Sequence, residues 1–283
     1  MSTIRVAALQ MRSGTDIQRN VADFEALVRE AAGMGAAYVQ SPEMTGILVR
    51  SREALFERVR SAEEDPLVGM AAALARELSL FLHVGSTAIR LGDDKVANRG
   101  FLFGPDGARI ATYDKIHMFD VDLDNGESWR ESATYAPGSE SVVATLPDMR
   151  LGLSVCYDLR FPQLFRAQAL AGAEVLTVPA AFTRQTGVAH WHVLTRARAI
   201  ENGAWLIAAA QGGRHADGRE TYGHSLVIDP WGRVVAEAEH DDPAVIVADI
   251  DTAAADAARA KVPNLQNARE FAVAEAVYGR RAS

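Results

Sequence analysis

The chain reads Leu151-Gly152-Leu153-Ser154-Val155-Cys156-Tyr157-Asp158-Leu159-Arg160-Phe161-Pro162 just past its middle. The first five of these residues are apolar or small, which is typical of a buried strand. Pro162 suits the first turn of a helix, and Phe165 and Leu170 continue a helical pattern behind it. The stretch therefore predicts a strand that turns directly into a helix, with Cys156 at the corner.

The first half of the chain follows the same plan. A strand pattern at residues 5–10 leads through a helical pattern to Gly35-Ala36-Ala37-Tyr38-Val39-Gln40-Ser41-Pro42. The strand pattern at residues 150–155 leads in the same way to Gly172-Ala173-Glu174-Val175-Leu176-Thr177-Val178-Pro179. Each half continues with a helix, a strand and a strand–turn–strand unit, whose turns are Gly104-Pro105-Asp106-Gly107 and Asp229-Pro230-Trp231-Gly232. This order predicts an α/β fold in which two sheets pack together in one domain with helices outside. Chance similarity between two generic α/β patterns is the alternative.

Composition excludes several classes of protein. The net charge of −8 over 283 residues argues against a general nucleic-acid binder. The single cysteine allows neither an internal disulfide nor a Cys-rich zinc site, and no metal-ligand spacing is evident. We find no signal-peptide pattern, and the longest apolar runs fall short of the roughly 18 residues that span a membrane. The expectation is a cytoplasmic protein that acts on a small molecule and binds neither nucleic acid nor membrane.

Three side chains with chemical potential follow predicted strands. Cys156 lies at the strand-to-helix corner, Lys115 ends the strand Arg109–Asp114, and Glu43 follows a buried strand at residues 37–40. Taken singly, each has an ordinary explanation as a packed thiol, a surface charge or a loop carboxylate. The carboxyl ends of strands are, however, where α/β sheets bind ligands. The three positions are therefore candidates for one site.

In combination these residues resemble the nitrilase (carbon–nitrogen hydrolase) superfamily, whose catalytic set is Glu–Lys–Cys. The likeness covers nearly the whole chain, and its closest branch includes deaminated glutathione amidase and ω-amidase. The matching motifs are Pro42-Glu43, Lys115-Ile116-His117, the stretch from Cys156 to Pro162, Glu131-Ser132 with Pro137-Gly138, Gly187-Val188-Ala189-His190-Trp191 and Tyr222-Gly223-His224-Ser225.

The resemblance implies an αββα sandwich with two mixed sheets flanked by helices, pairing as αββα–αββα in a homodimer or higher homo-oligomer. Residues 1–267 would form a single carbon–nitrogen hydrolase domain, and residues 268–283 a C-terminal arm or partly disordered tail. Ala268 stands where related chains often carry a basic residue, which leaves the arm and its dimer contacts in doubt. No metal and no organic cofactor is implied.

The resemblance also implies catalytic roles. Glu43 would take the proton of the Cys156 thiol, which requires a desolvated carboxyl with a pKa raised toward neutrality. Lys115 and the backbone N–H of Tyr157 would stabilise the oxyanion, while Glu131 would support Lys115 or the leaving group. A Cys–His mechanism is the alternative, but no local protease signature surrounds Cys156. The histidines His117, His190 and His224 are therefore interpreted as structural or supporting residues.

Substrate recognition centres on Arg160. Its guanidinium can clamp a substrate carboxylate, or it can form an internal salt bridge with Asp158. Phe182, Thr183 and Thr186 follow a strand at residues 175–178 and are predicted to line the same opening, together with Tyr157.

The predicted activity is hydrolysis of a small carboxylate-bearing amide to acid and ammonia through a cysteine thioester. A nitrilase or an N-carbamoyl-amino-acid amidohydrolase on the same fold is the alternative, and a non-catalytic scaffold is a further one.

Overall fold

The computed structural model describes residues 3–123, 126, 128–276 and 278. The strands are β1 (Thr3–Gln10), β2 (Tyr38–Gln40), β3 (Phe81–Arg90), β4 (Val96–Phe103), β5 (Arg109–Asp114), β6 (Asp120–Asp122), β7 (Ser128–Arg130), β8 (Tyr135–Ala136), β9 (Val142–Thr145), β10 (Arg150–Leu153), β11 (Val175–Thr177), β12 (Trp205–Ala208), β13 (Gly212–Arg214), β14 (Glu220–Tyr222), β15 (Leu226–Ile228), β16 (Val234–Glu237) and β17 (Ala244–Asp251). The α-helices are α1 (Ile17–Gly33), α2 (Arg52–Arg58), α3 (Pro66–Leu78), α4 (Pro162–Leu170), α5 (Arg184–Asn202) and α6 (Ala253–Lys261). Short 3₁₀ turns occupy Glu131–Ala133 and Cys156–Arg160.

The repeated plan of the sequence is present as a repeated topology. One sheet has the order β17-β1-β2-β3-β4-β5, with β8 added beside β4. The other has the order β9-β10-β11-β12-β15-β16. In both sheets the three central strands are parallel and their flanking strands antiparallel. The α/β fold with two mixed sheets and outer helices is confirmed.

Successive side chains of β1 point alternately into two different apolar cores. Val6 and Ala8 belong to the core between the two sheets, where they join apolar residues of the second sheet such as Leu176. The intervening Ala7 and Leu9 face the opposite way, into a second core with α1 and α3. A strand buried on both faces needs apolar residues at successive positions, which explains the continuous apolar run of β1.

Local signals set the helix starts. Asp16 caps α1 by accepting hydrogen bonds from the backbone N–H groups of Gln18 and Arg19 at 3.0 and 3.2 Å. Asp65 caps α3 in the same way, and Pro66 occupies the first position of that helix.

The stretch 120–137 has no sequence periodicity, yet it contains β6, β7, a 3₁₀ turn and β8. The strands β6 and β7 pair antiparallel, and Arg130 contacts both carboxylate oxygens of Asp122 at 2.9 and 2.8 Å. Segments of two or three residues are too short to show alternation, so the sequence could not reveal them.

The predicted C-terminal arm is described only in part. Residues 268–276, within this arm, are exposed and have no assigned helix or strand, whereas residues 277 and 279–283 lie outside the described residues. Among the described residues, no helix is both long enough and apolar enough to cross a membrane.

Candidate active site

Cys156 occupies the corner that the sequence predicts. Strand β10 ends at Leu153, two residues earlier than expected, and Cys156, the first residue of the 3₁₀ turn, adopts a left-handed φ of 50°. Such a conformation costs a non-glycine residue about 1–3 kcal/mol and persists only where the surroundings enforce it. Here the backbone N–H of Cys156 donates to the Pro179 carbonyl at 2.9 Å. The corner therefore depends on contact with the neighbouring strand-end loop.

Asp158 stabilises the corner through hydrogen bonds to the residues around it. Its buried carboxylate accepts hydrogen bonds from the Val155 N–H at 2.9 Å and the Tyr113 hydroxyl at 2.7 Å. The other oxygen accepts from the His117 N–H at 3.1 Å and lies 2.7 Å from His117 Nδ1. Asp158 thus joins the cysteine motif to the Lys-Ile-His motif. Since these contacts occupy its carboxylate, the alternative of an Arg160–Asp158 salt bridge is wrong.

Glu43 enters the site from the loop after β2. Its Oε1 accepts hydrogen bonds from Lys115 Nζ at 2.9 Å and from Asn98 Nδ2 at 2.8 Å. Its Oε2 accepts from the Ala181 N–H at 2.9 Å. The loop passes close to Gly85, where a Cβ would collide with Ser41 and Pro179. A glycine is therefore required where the two strand-end loops meet.

Lys115 lies between two carboxylates and is only 2% exposed. Its Nζ is 2.9 Å from Glu43 Oε1 and 2.9 Å from each carboxylate oxygen of Glu131. Glu131 also accepts from the Phe119 N–H at 2.6 Å. Asn98 donates to both glutamates, at 2.8 Å to Glu43 and 3.2 Å to Glu131. Asn98 was not predicted, although a buried polar position in the largely apolar β4 was a possible signal.

The charges in this cluster set the resting protonation states. Burial opposes ionisation of Glu43, but the Lys115 ammonium and hydrogen bonds from Cys156, Lys115 and Asn98 leave its pKa below the ordinary value. Burial likewise opposes the charge on Lys115, yet Glu131 and Glu43 hold its pKa well above normal. Burial and the Glu43 carboxylate raise the pKa of the Cys156 thiol. The expected upward shift of the Glu43 pKa is thus wrong for the resting site, because the Lys115 charge and the hydrogen bonds together outweigh desolvation there.

These groups open onto a cavity of about 260 Å³. Every residue predicted to contact substrate lines it: Tyr157, Arg160, Phe182, Thr183 and Thr186. The Arg160 guanidinium lies 5.4 Å from the Phe182 ring centroid and 5.9 Å from that of Tyr157. The unpredicted residues that line the cavity include Arg50, Trp129 and Arg219.

The backbone N–H of Tyr157 donates no hydrogen bond to any of the described residues. A free N–H at the start of a helical turn is suited to an oxyanion.

No histidine in the described part of the chain lines the cavity. His117 stacks on Phe161 at 3.5 Å between ring centroids, and His190 Nδ1 lies 3.3 Å from the Arg160 guanidinium. His224 and His192 both contact one oxygen of Glu237, at 2.9 and 2.8 Å. These last three side chains are near enough to hold a metal ion, but they lie outside the cavity.

Comparison with known families identifies the fold's relatives. The family model described as Carbon-nitrogen hydrolase matches residues 5–260. The chain belongs to this family. The predicted membership of the nitrilase superfamily is thereby confirmed.

The sequences of several named relatives align with most of this carbon–nitrogen hydrolase. The deaminated glutathione amidase of Yersinia enterocolitica is 39% identical over 272 residues, which are 95% of this chain and 94% of that protein. The Homo sapiens deaminated glutathione amidase is 43% identical over 256 residues, 87% of this chain and 76% of that one.

Solved structures of related proteins have the same fold. The C. elegans NitFhit protein superposes with a TM-score of 0.85 at 34% identity, over 95% of this chain and 66% of that one. A mutant amidase from Nesterenkonia sp. AN1 matches with a TM-score of 0.79 at 27% identity, over 94% of both chains. In that amidase, the acetamide moiety of fluoroacetamide is covalently added to the active site cysteine.

Proposed function

We propose that this carbon–nitrogen hydrolase cleaves a small carboxylate-bearing amide, with Cys156 as nucleophile, Glu43 as general base and acid, and Lys115 as oxyanion donor. The observation that carries the proposal is the convergence of these three groups at one wall of one cavity. Lys115 Nζ lies 2.9 Å from Glu43 Oε1, and Glu43, Lys115 and Cys156 all line the cavity. A base and a nucleophile in one cavity, beside a fixed cation, are suited to acyl transfer.

The resting charges favour a coupled first step. With the thiol neutral, Glu43, Lys115 and Glu131 carry one net negative charge, and free ionisation of Cys156 would add a second. We infer that the thiol proton moves to Glu43 while sulfur attacks the amide carbon. The S–C bond forms as the carbonyl electron pair moves onto oxygen, which Lys115 and the Tyr157 N–H stabilise. As Lys115 turns toward that oxygen it releases Glu43, whose pKa then rises, making the proton transfer favourable.

Collapse of this intermediate forms the thioester. The oxyanion's electron pair re-forms the carbonyl as the C–N bond breaks, the C–N electron pair stays on nitrogen, and nitrogen takes the proton from Glu43 as ammonia or an amine leaves. Water then attacks the thioester while giving a proton to Glu43. The C–S bond breaks, Glu43 returns a proton to sulfur, and the carboxylic acid is released. Glu131 remains the partner of Lys115 as that side chain turns, and Asn98 keeps its hydrogen bond to Glu43.

The relatives' names and Arg160 together suggest the substrate. Relatives at 39% and 43% identity are named deaminated glutathione amidase, whose substrate carries a 2-oxo acid joined through an ω-amide. Arg160 lines the cavity beside Tyr157 and Phe182, and Asp158 does not neutralise it. We therefore propose ω-amides of 2-oxo acids as substrates, with Arg160 binding the carboxylate of the acyl part.

A product-release screen tests the function. The purified chain is assayed on 2-oxoglutaramate and deaminated glutathione, and on matched nitriles and N-carbamoyl amino acids. We expect hydrolysis of the ω-amides, loss of activity in Cys156→Ala, and a trapped acyl adduct in the mass spectrum of the parent enzyme. Preference for nitriles or N-carbamoyl compounds would replace the substrate class while keeping the nucleophile. Full activity in Cys156→Ala would remove the mechanism altogether.

We also propose that the chain forms the expected homodimer. Val188 and Val193 on α5 are 67% and 68% exposed, and Leu170 at the end of α4 is 63% exposed, so apolar side chains project from one outer helical layer. Light scattering coupled to size exclusion should give about twice the mass of one chain. The double variant Val188→Asp/Val193→Asp should elute as a monomer, and a monomeric parent would contradict the proposal.

A further inference from the structure

Two arginines flank one indole at the rim of the cavity. The Arg50 guanidinium lies 4.6 Å and that of Arg219 4.7 Å from the Trp129 ring centroid. All three side chains line the cavity that holds Cys156. They come from segments far apart in sequence, so only the folded chain brings them together.

This cluster carries an excess of positive charge. Arg219 is 17% exposed and contacts one carboxylate, Asp217, at 3.1 Å. Arg50 is exposed and forms no ion pair with any residue in the described ranges. Burial is the main cause that lowers the pKa of Arg219, and repulsion by Arg50 lowers it further. Two neighbouring cations, of which only Arg219 contacts a carboxylate, repel each other, and a bound anion would relieve that repulsion.

The cluster is separate from Arg160. A row of aromatic rings lies between them: Trp129 is 6.4 Å from Phe119, and Phe119 is 5.0 Å from Tyr157. Arg160 packs against the far ring of this row, whereas Arg219 packs against the near one. The cavity therefore offers two cationic ends with an apolar wall between them.

The Arg219 end lies across the row of aromatic rings from Arg160. Arg160, which is proposed to bind the acyl part, packs against Tyr157, the residue after Cys156. With the acyl part held at Arg160 and the scissile amide at Cys156, the amine part extends toward the opposite end of the cavity. Arg50 and Arg219 line that end.

We propose that Arg50 and Arg219 bind a carboxylate on the amine part of the substrate, while Arg160 binds the carboxylate of the acyl part. The preferred substrate class is therefore an ω-amide with an anionic group at both ends, such as a 2-oxo diacid joined to a short peptide with a free C-terminus. This inference rests on the proposed amidase function and assigns residues to leaving-group recognition. Planar guanidinium groups held by an indole are suited to bidentate carboxylate binding.

The test compares two substrates that differ in one charge: deaminated glutathione and its C-terminal amide. The measured quantity is the ratio of their kcat/KM values, from release of 2-oxoglutarate. We expect the parent to favour the free carboxylate by about tenfold or more. Arg50→Ala should reduce this ratio several-fold, and Arg50→Glu should bring it to one or below.

Further variants separate recognition from folding. Arg219→Lys keeps the charge but loses the planar fork, so it should reduce the ratio less than Arg219→Gln does. Arg214→Ala removes one exposed positive charge on β13 and should leave the ratio at the parent value. Melting temperatures of the Arg50 variants check that the fold is intact.

The outcomes are distinct. If the parent hydrolyses both substrates with no preference, or if Arg50→Glu and Arg219→Gln keep the parent ratio, the subsite is overturned while the amidase function stands. If the parent releases 2-oxoglutarate from neither substrate nor from 2-oxoglutaramate, the proposed function fails and this inference fails with it.

Discussion

Replacing Lys115 by methionine tests the charge arrangement of the site. The substitution keeps an unbranched side chain of similar length but removes the cation that lies 2.9 Å from both Glu43 and Glu131. Two buried carboxylates then face each other without a positive partner. We expect both stability and catalysis to suffer, for separable physical reasons.

The stability effect follows from burial. At an effective dielectric constant near 20, a charge pair at this distance interacts by about 4–6 kcal/mol. Desolvation offsets part of that in the intact site, but breaking a buried pair typically costs about 3–5 kcal/mol because the partner is left uncompensated. For a chain of this size, that corresponds to an apparent melting temperature lower by roughly 5–8 °C.

The pH dependence should change sign in Lys115→Met. In the parent, the lowered pKa of Glu43 contributes stability above its unfolded pKa of about 4.3, and this is lost only as the pH falls through the folded value. Lys115 has a raised pKa, and its contribution is lost only as the pH rises through that value. In the variant, burial and the neighbouring carboxylate raise the Glu43 pKa above the unfolded value. Stability should therefore fall as the pH rises from 5 to 8.

Scanning fluorimetry at pH 5 and pH 8, with kcat from 2-oxoglutarate release, measures both effects. Loss of the oxyanion donor should lower kcat by at least about 100-fold. The double variant Lys115→Met/Glu131→Gln should regain part of the stability at pH 8 but none of the activity. Lys261→Met, on the exposed face of α6, is the matched control. A Lys115→Met protein that melts like the parent at both pH values, or keeps kcat within tenfold, would refute the reasoning.

Three further substitutions probe the scaffold around the site. Asn98→Leu removes a hydrogen-bond donor to both glutamates, so kcat should fall by about tenfold or more. Urea titration should show an unfolding free energy lower by about 1–3 kcal/mol. An unchanged kcat would contradict the positioning role of Asn98. Gly85→Ala places a Cβ against backbone and proline atoms of two loops and should destabilise the fold by more than about 2 kcal/mol. The control Gly69→Ala, in an exposed turn of α3 with no neighbour within 4 Å, should instead raise stability by about 0.5–1 kcal/mol. Asp65→Ala removes the N-cap of α3 and should lower the melting temperature by a few degrees, corresponding to about 0.5–2 kcal/mol; no change would show that the cap is dispensable.

Sequence alone determined the features that depend on neighbouring residues. The apolar run before Cys156 and the proline after it specify a strand, a corner and a helix, because these signals act within a few residues. The matched order of elements in the two halves likewise predicted the two sheets that the structure contains. Motif resemblance then pointed to Glu43 and Lys115, and the structure brings both beside Cys156.

Tertiary structure decided whatever depends on contacts between distant segments. Asn98 could not be placed between two glutamates from sequence, since strand register and loop path determine which side chains meet. The hydrogen-bond partners of Asp158 also come from distant segments, and so do Arg50 and Arg219, which both lie against Trp129. These contacts likewise depend on how the segments pack together.

The direction of the Glu43 pKa shift is the sharpest case. Burial by itself argues for an upward shift, and the sequence supports only that argument. The 2.9 Å contact with Lys115 and the hydrogen bond from Asn98 contribute to reversing it, because the effect of a charge or donor on a buried carboxyl depends on distances that only the folded chain defines.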